Sequence, residues 1–171
     1  VSKIILERCV YKHKTKDVII IADAYKGSNM RECLDNYFQS LSGNDTDTIK
    51  ANGKIFLPGS SDLVAFIGHD GLMDTSFETY PKQKGIKKRD TMIFCCYSKE
   101  YFSDAVKSAG ANPFLWTTGL MSPEAYSLKA ALDGWLLNET GPQIRERAAQ
   151  AYHQYQKCGI KGARGLFTTG F

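Results

Sequence analysis

Apolar residues fall into short unbroken runs separated by polar, turn-forming stretches, with amphipathic segments between some of the runs. Asp17 to Ala22 (carrying Val18-Ile19-Ile20-Ile21), Leu63-Val64-Ala65-Phe66-Ile67, Met92-Ile93-Phe94 and Phe114-Leu115-Trp116 each end in turn residues. Such runs read as strands covered on both faces, as in parallel sheets flanked by helices. After the first run, Met30, Cys33, Leu34, Tyr37, Phe38 and Leu41 recur at three- and four-residue steps. That stripe predicts a helix opening at Asn29, with Glu32 in the capping-box position, and stopping at Gly43. Ser98 is placed to cap a helix through about Ser108, with Tyr101, Phe102, Ala105 and Val106 inward and Gly110 behind it. Ser122-Pro123-Glu124 starts another, carrying Ala125, Leu128, Ala131, Leu132 and Trp135 to about Asn138. Thr140-Gly141-Pro142 opens a last one with Ile144, Ala148, Ala151, Tyr152 and Tyr155 on one stripe. Residues 3–12 fit either a short helix or an edge strand, 42–53 a surface loop, 54–57 a short edge segment, 72–90 a loop, and the stretch from Gly159 an irregular tail. This order predicts an α/β fold with a mostly parallel sheet flanked by helices, the 17–22 strand and its helix forming half of a βαβ unit.

A chain of 171 residues, 43% hydrophobic, suits one domain across 1–171 with a sizeable core. No run approaches 18 apolar residues and no signal-peptide pattern opens the chain, so a membrane is not an expected partner. The start on Val1 reads as a processed form or a piece of a longer chain. Much of the net charge of +4 comes from Lys82, Lys84, Lys87, Lys88 and Arg89. No aromatic residue interleaves them as a stacking platform for bases requires, so the cluster reads as a solvated linker rather than a nucleic-acid site. The five cysteines are odd in number and scattered, without a C-x-x-C pair. That argues against a disulfide framework or a zinc site; no metal or cofactor is expected, and free thiols fit a reducing compartment such as the cytoplasm.

Candidate chemistry gathers where two of the runs end. Ligands of open α/β sheets sit at the carboxyl ends of the strands. Leu63–Ile67 runs into Gly68-His69-Asp70-Gly71, and Met92–Phe94 into Cys95-Cys96-Tyr97-Ser98. Were the two strands parallel neighbours, His69 would stand beside Cys96, and an imidazole there can take a thiol proton and return it to a leaving group. Cys96 precedes a helix start, whose positive end favours a thiolate. The amides around Tyr97 and Ser98, with that of Gly71, are candidate oxyanion donors. Gly68 and Gly71 leave space for a substrate, and Asp70 is a candidate orienter of His69. Cys95 and Cys96 point to opposite faces if the strand continues through them. Asp23, Tyr25, Thr117 and Thr118 are candidates for a substrate-binding rim because they too follow apolar runs. Plainer roles compete: a histidine bonded to a carbonyl, cysteines as small buried fillers, Asp23 as a turn cap.

The two motifs together, strand–His–turn and strand–small residue–Cys, resemble the caspase-like cysteine peptidases, the group of caspase, legumain, gingipain and clostripain. The resemblance spans about residues 17–120 and is specific at the two motifs, with Asp70 standing between the histidine and Gly71 where the group has His-Gly. It implies a caspase-like three-layer sandwich lacking its first strand, in a bacterial branch of the group. It places His69 on the catalytic histidine, Cys96 on the nucleophile and Cys95 where a small residue stands. The implied activity is a cysteine endopeptidase acting on a peptide or protein substrate through a thioester acyl-enzyme. The alternative is a non-catalytic α/β interaction module on the same fold.

Overall fold

The first apolar run does not enter the main sheet. In the computed structural model, which describes residues 3–51 and 53–171, Ile5–Lys12 (β1) and Ile19–Tyr25 (β2) form an antiparallel two-stranded ribbon. Burial alternates along all of β2, the signature of a strand covered on one face only. Arg8 stands opposite Asp23 in the ladder, and their side chains pair at 2.6 Å. Most of the 3–12 segment, from Ile5 to Lys12, is thus a strand, and the expected βαβ unit does not form: among the described residues β2 pairs with β1 and makes no ladder with β5.

A 3-10 turn over Gly27–Asn29 leads into α1 (Met30–Ser42). Asn29 makes no side-chain bond to the helix backbone; its side-chain Nδ2 donates to Glu32 Oε1 at 3.1 Å instead. Gly43 ends the helix in the left-handed region, at φ +82°. The 42–53 segment is not all loop: Ile49–Ala51 (β3) pairs antiparallel with Lys54–Phe56 (β4). Asn52 of that segment, like Val1 and Ser2, lies outside the described residues.

The main sheet begins with Leu63–Ile67 (β5) and Asp90–Phe94 (β6), continues through α2 (Ser98–Ser108) to Asn112–Thr117 (β7), then passes through α3 (Ala125–Trp135), α4 (Gly141–Gln156) and α5 (Ile160–Leu166) to Phe167–Thr168 (β8). The strands lie in the order β5-β6-β7-β8, the first three parallel and β8 antiparallel to β7. The architecture is therefore α/β with a mixed, mostly parallel four-stranded sheet. Two departures lie at the C-terminal side. The stretch from Gly159 is ordered as α5 and β8, and Phe167 is buried with its ring 5.9 Å from that of Phe94. α3 starts at Ala125, not at Ser122, because Ser122 is held outside the helix, its amide donating to the Tyr152 hydroxyl at 3.0 Å.

Alternation along β6 divides the core into two layers. Ile93 and Cys95 face Leu34, Tyr37 and Phe38 of α1 and Phe102 and Val106 of α2. Met92 and Phe94, with Leu115 of β7, face Ala131 of α3, Ile144, Ala148 and Tyr152 of α4, and Ala163 of α5. Helices on both faces explain the unbroken apolar run, and each large side chain so buried stabilises the fold by about 1.5–3 kcal/mol. β5 is an outer strand, with Ala65 and Ile67 exposed. The basic stretch before β6 is only partly solvated. Arg89 is buried, its guanidinium donating to the carbonyls of Gly59 and Lys87, and burial lowers its pKa. Among the described residues no helix is long and apolar enough to cross a membrane.

Candidate functional site

β5 and β6 pair in register, Phe66 opposite Ile93 and Ile67 opposite Phe94, and the Gly68 amide extends the ladder to the Phe94 carbonyl at 3.1 Å. Two residues on, at the carboxyl ends of these adjacent parallel strands, stand His69 and Cys96. Along β5 and β6 the pairs Ala65/Met92 and Ile67/Phe94 share one sheet face; His69 and Cys96 lie beyond the last paired residues, in the turns that follow the strands. Cys95 faces the opposite layer, fully buried against α1 and α2. The half-buried Cys96 thiol donates to the Met121 carbonyl at 3.7 Å.

The turn that carries Cys96 is fixed from β7. Tyr97 adopts φ +46°, uncommon for a residue with a side chain, and its amide donates to the Gly119 carbonyl at 2.9 Å. Ser98 is the first residue of α2 rather than its cap. Its hydroxyl donates to the Ile93 carbonyl at 3.0 Å and accepts from the Thr117 amide at 2.8 Å. The Thr117 hydroxyl accepts from the Ser98 amide at 3.1 Å and donates to the Cys95 carbonyl. The Tyr97 and Ser98 amides are thus engaged inside the protein and do not serve as oxyanion donors. Among the described residues the amides of Cys96 and Gly71 carry no hydrogen bond. Thr117 is fully buried and is no rim residue; Thr118 is exposed, with its hydroxyl donating to the Gly165 carbonyl at 2.9 Å.

On the histidine side, Asp70 does not orient His69. Its Oδ1 accepts from the Leu72 amide at 3.0 Å and caps the 3-10 turn Gly71–Met73. The Asp70 carboxyl is buried, its Oδ2 has no geometric hydrogen-bond partner among the described residues, and burial raises its pKa. It faces Cys95, whose thiol is pushed up by burial and then by the Asp70 charge. The imidazole instead meets Asp74, Nε2 lying 2.5 Å from Oδ2, with the two side chains 58% and 70% exposed. The Gly71 carbonyl accepts from the amides of Asp74 at 3.2 Å and Thr75 at 2.9 Å, while Arg31 of α1 holds Thr75 Oγ1 and the Ser76 carbonyl. Gly71 itself is buried so tightly on α1 that a Cβ there would stand 2.3 Å from Met30 Cγ. At Gly68 an added Cβ would meet nothing within 4 Å, so the end of β5 is open.

No family model, curated protein or solved structure matches the chain. The chemistry therefore rests on the strand ends themselves: a ring with one nitrogen held by a carboxylate, a thiol on the next strand, and the free amide of Cys96.

Asp23 and Tyr25 do not join this group. Asp23 is occupied by both Arg8 donors at 2.6 Å, and the Tyr25 hydroxyl accepts from Asn36 at 3.0 Å. Both belong to the β1–β2 ribbon, which makes no ladder with β5. Sequence reasoning missed Asp74, although its signal was present. An Asp-Gly at 70–71 favours a tight turn, and one 3-10 turn returns the chain so that residue 74 lies beside residue 69. It also missed the Met121 carbonyl and the Ser98–Thr117 knot, for which a single sequence carries no local signal.

Proposed function

We propose that the protein is a cysteine peptidase of caspase-like architecture, with Cys96 as nucleophile and His69 as general base and acid. The observation that carries this reading is the parallel β5–β6 register, which ends in an imidazole on one strand and a thiol on its neighbour. The thiol proton passes to the imidazole while sulfur bonds to the substrate carbonyl carbon and the carbonyl electron pair moves to oxygen. The free amide of Cys96 is the candidate donor to that oxyanion, Gly71 being buried against Met30 and Leu34. Collapse breaks the C–N bond, and the amine leaves with the proton from the imidazolium. Water then adds to the thioester, giving its proton to the imidazole, and the acid departs as the sulfur recovers a proton.

Mass-spectrometric mapping after reaction with a small electrophilic acyl-type probe tests the reading. Burial disfavours the thiolates of Cys95 and Cys33, the latter pushed up to about 11, which leaves Cys9, Cys96 and Cys158 to compete. Labelling concentrated on Cys96 and lost in His69→Ala is the expected result. Equal modification at all accessible thiols, unaffected by His69→Ala, refutes it. The engaged Tyr97 and Ser98 amides favour a second reading, a non-catalytic interaction module on the same fold, and that second labelling pattern is its signature.

A further inference from the structure

Resting on the His69–Cys96 reading, we infer that Asp74 is the positioning residue of the site: it fixes the imidazole tautomer so that Nδ1, not Nε2, exchanges the proton with Cys96. The contact is Nε2 to Oδ2 at 2.5 Å. An ionised carboxylate oxygen can only accept, so the ring nitrogen facing it carries the hydrogen. A neutral imidazole has one such hydrogen, and Nδ1 is left with its lone pair. Proton transfer then breaks S–H and forms Nδ1–H, giving a cationic ring whose other N–H still points at Asp74. The carboxylate holds that cation in place and stays ionised while Nδ1 returns the proton to the leaving amine.

The turn around Asp74 is built to keep it there. Asp70 caps it from inside through the Leu72 amide, the Gly71 carbonyl takes the amides of Asp74 and Thr75, and Arg31 anchors Thr75 and Ser76 to α1. These bonds tie the carboxylate to the helical layer rather than to β5, so ring orientation does not depend on the outer strand alone. Because both side chains are more than half exposed, water screens the pair, and the expected contribution is about tenfold in rate rather than the several thousandfold of a buried triad.

The test follows alkylation of the full chain by iodoacetamide at neutral pH, resolved by site, with exposed Cys158 as internal reference. Asp74→Ala is expected to slow Cys96 about tenfold while leaving Cys158 unchanged, and Asp74→Glu to recover most of the loss. In long-range proton–nitrogen spectra of the neutral ring, identified by its absence in His69→Ala, the hydrogen should sit on Nε2, with a share moving to Nδ1 in Asp74→Ala. An unchanged Cys96 rate in Asp74→Ala overturns the inference, as does a wild-type ring protonated on Nδ1. If Asp74→Ala is silent while His69→Ala slows Cys96, positioning fails and the dyad stands. If both are silent, the dyad fails as well.

Discussion

Replacing Thr117 by valine removes one oxygen from the knot that holds the Cys96 turn to β7. That oxygen accepts from the Ser98 amide and donates to the Cys95 carbonyl, and the Ser98 hydroxyl lies 2.9 Å from it, all fully buried. Valine fills nearly the same volume, so two backbone groups lose their partner without a cavity opening. A buried polar group left unpaired costs about 1–3 kcal/mol, and the extra methyl returns a little under 1 kcal/mol. The net loss expected is about 3 kcal/mol, which for a chain of this length lowers the melting temperature by roughly 6–12 °C. Urea titration followed by tryptophan fluorescence reads it directly. Ser98→Ala should also destabilise, and the double variant should lose less than the two single losses together, because the residues share partners. A loss below about 1 kcal/mol for Thr117→Val, or strict additivity with Ser98→Ala, would refute the hydrogen-bonded knot as the source of the turn's rigidity.

Gly43→Ala should cost about 2 kcal/mol or more in the same titration, since the residue sits at φ +82° with the Arg89 guanidinium 2.6–2.9 Å from the position of the new Cβ. Shortening Arg89 to alanine should abolish the clash part of that cost and leave the backbone part. Asp70→Asn addresses pH. Burial raises the Asp70 carboxyl above its ordinary 3.8, so the folded state binds the proton more tightly, and stability falls as pH rises through the interval above that value. Asparagine keeps an oxygen for the Leu72 amide and carries no charge, so the variant should be more stable than wild type at neutral pH. The advantage should vanish below about pH 3.8; parallel stability–pH curves for the two proteins would contradict the sign.

β5, β6, β7 and the helices α1, α2 and α4 were readable from the residues because their signals are local: unbroken apolar runs, 3.6-residue stripes, the Thr140 cap. The partner of β2 was not. Val18 to Ala22 looks like a strand buried on both faces, and only the distant choice of β1 over β5 reveals that it is half-covered. α5 was hidden by Gly162 and Gly165, which lower helix propensity, and β8 is too short to show alternation. At the site, reading both side chains at strand ends needed only the strand order. Naming Asp70 as orienter failed for a geometric reason: as the residue next to His69, it sends its side chain to the other face, where Cys95 is. Ser98 read as a cap because Ser before a helix usually is one, whereas here its partner is 19 residues further along the chain.

The thiol hangs from β6, which has a neighbour on either side, whereas the imidazole hangs from β5, an outer strand. Sheets loosen from their margins inward, since a marginal strand has half the ladder to lose. For the proposed dyad, gentle warming would therefore displace the imidazole while the centre of the molecule is still intact. Whatever these two groups accomplish together is the first property to fade, and melting curves alone would miss its disappearance.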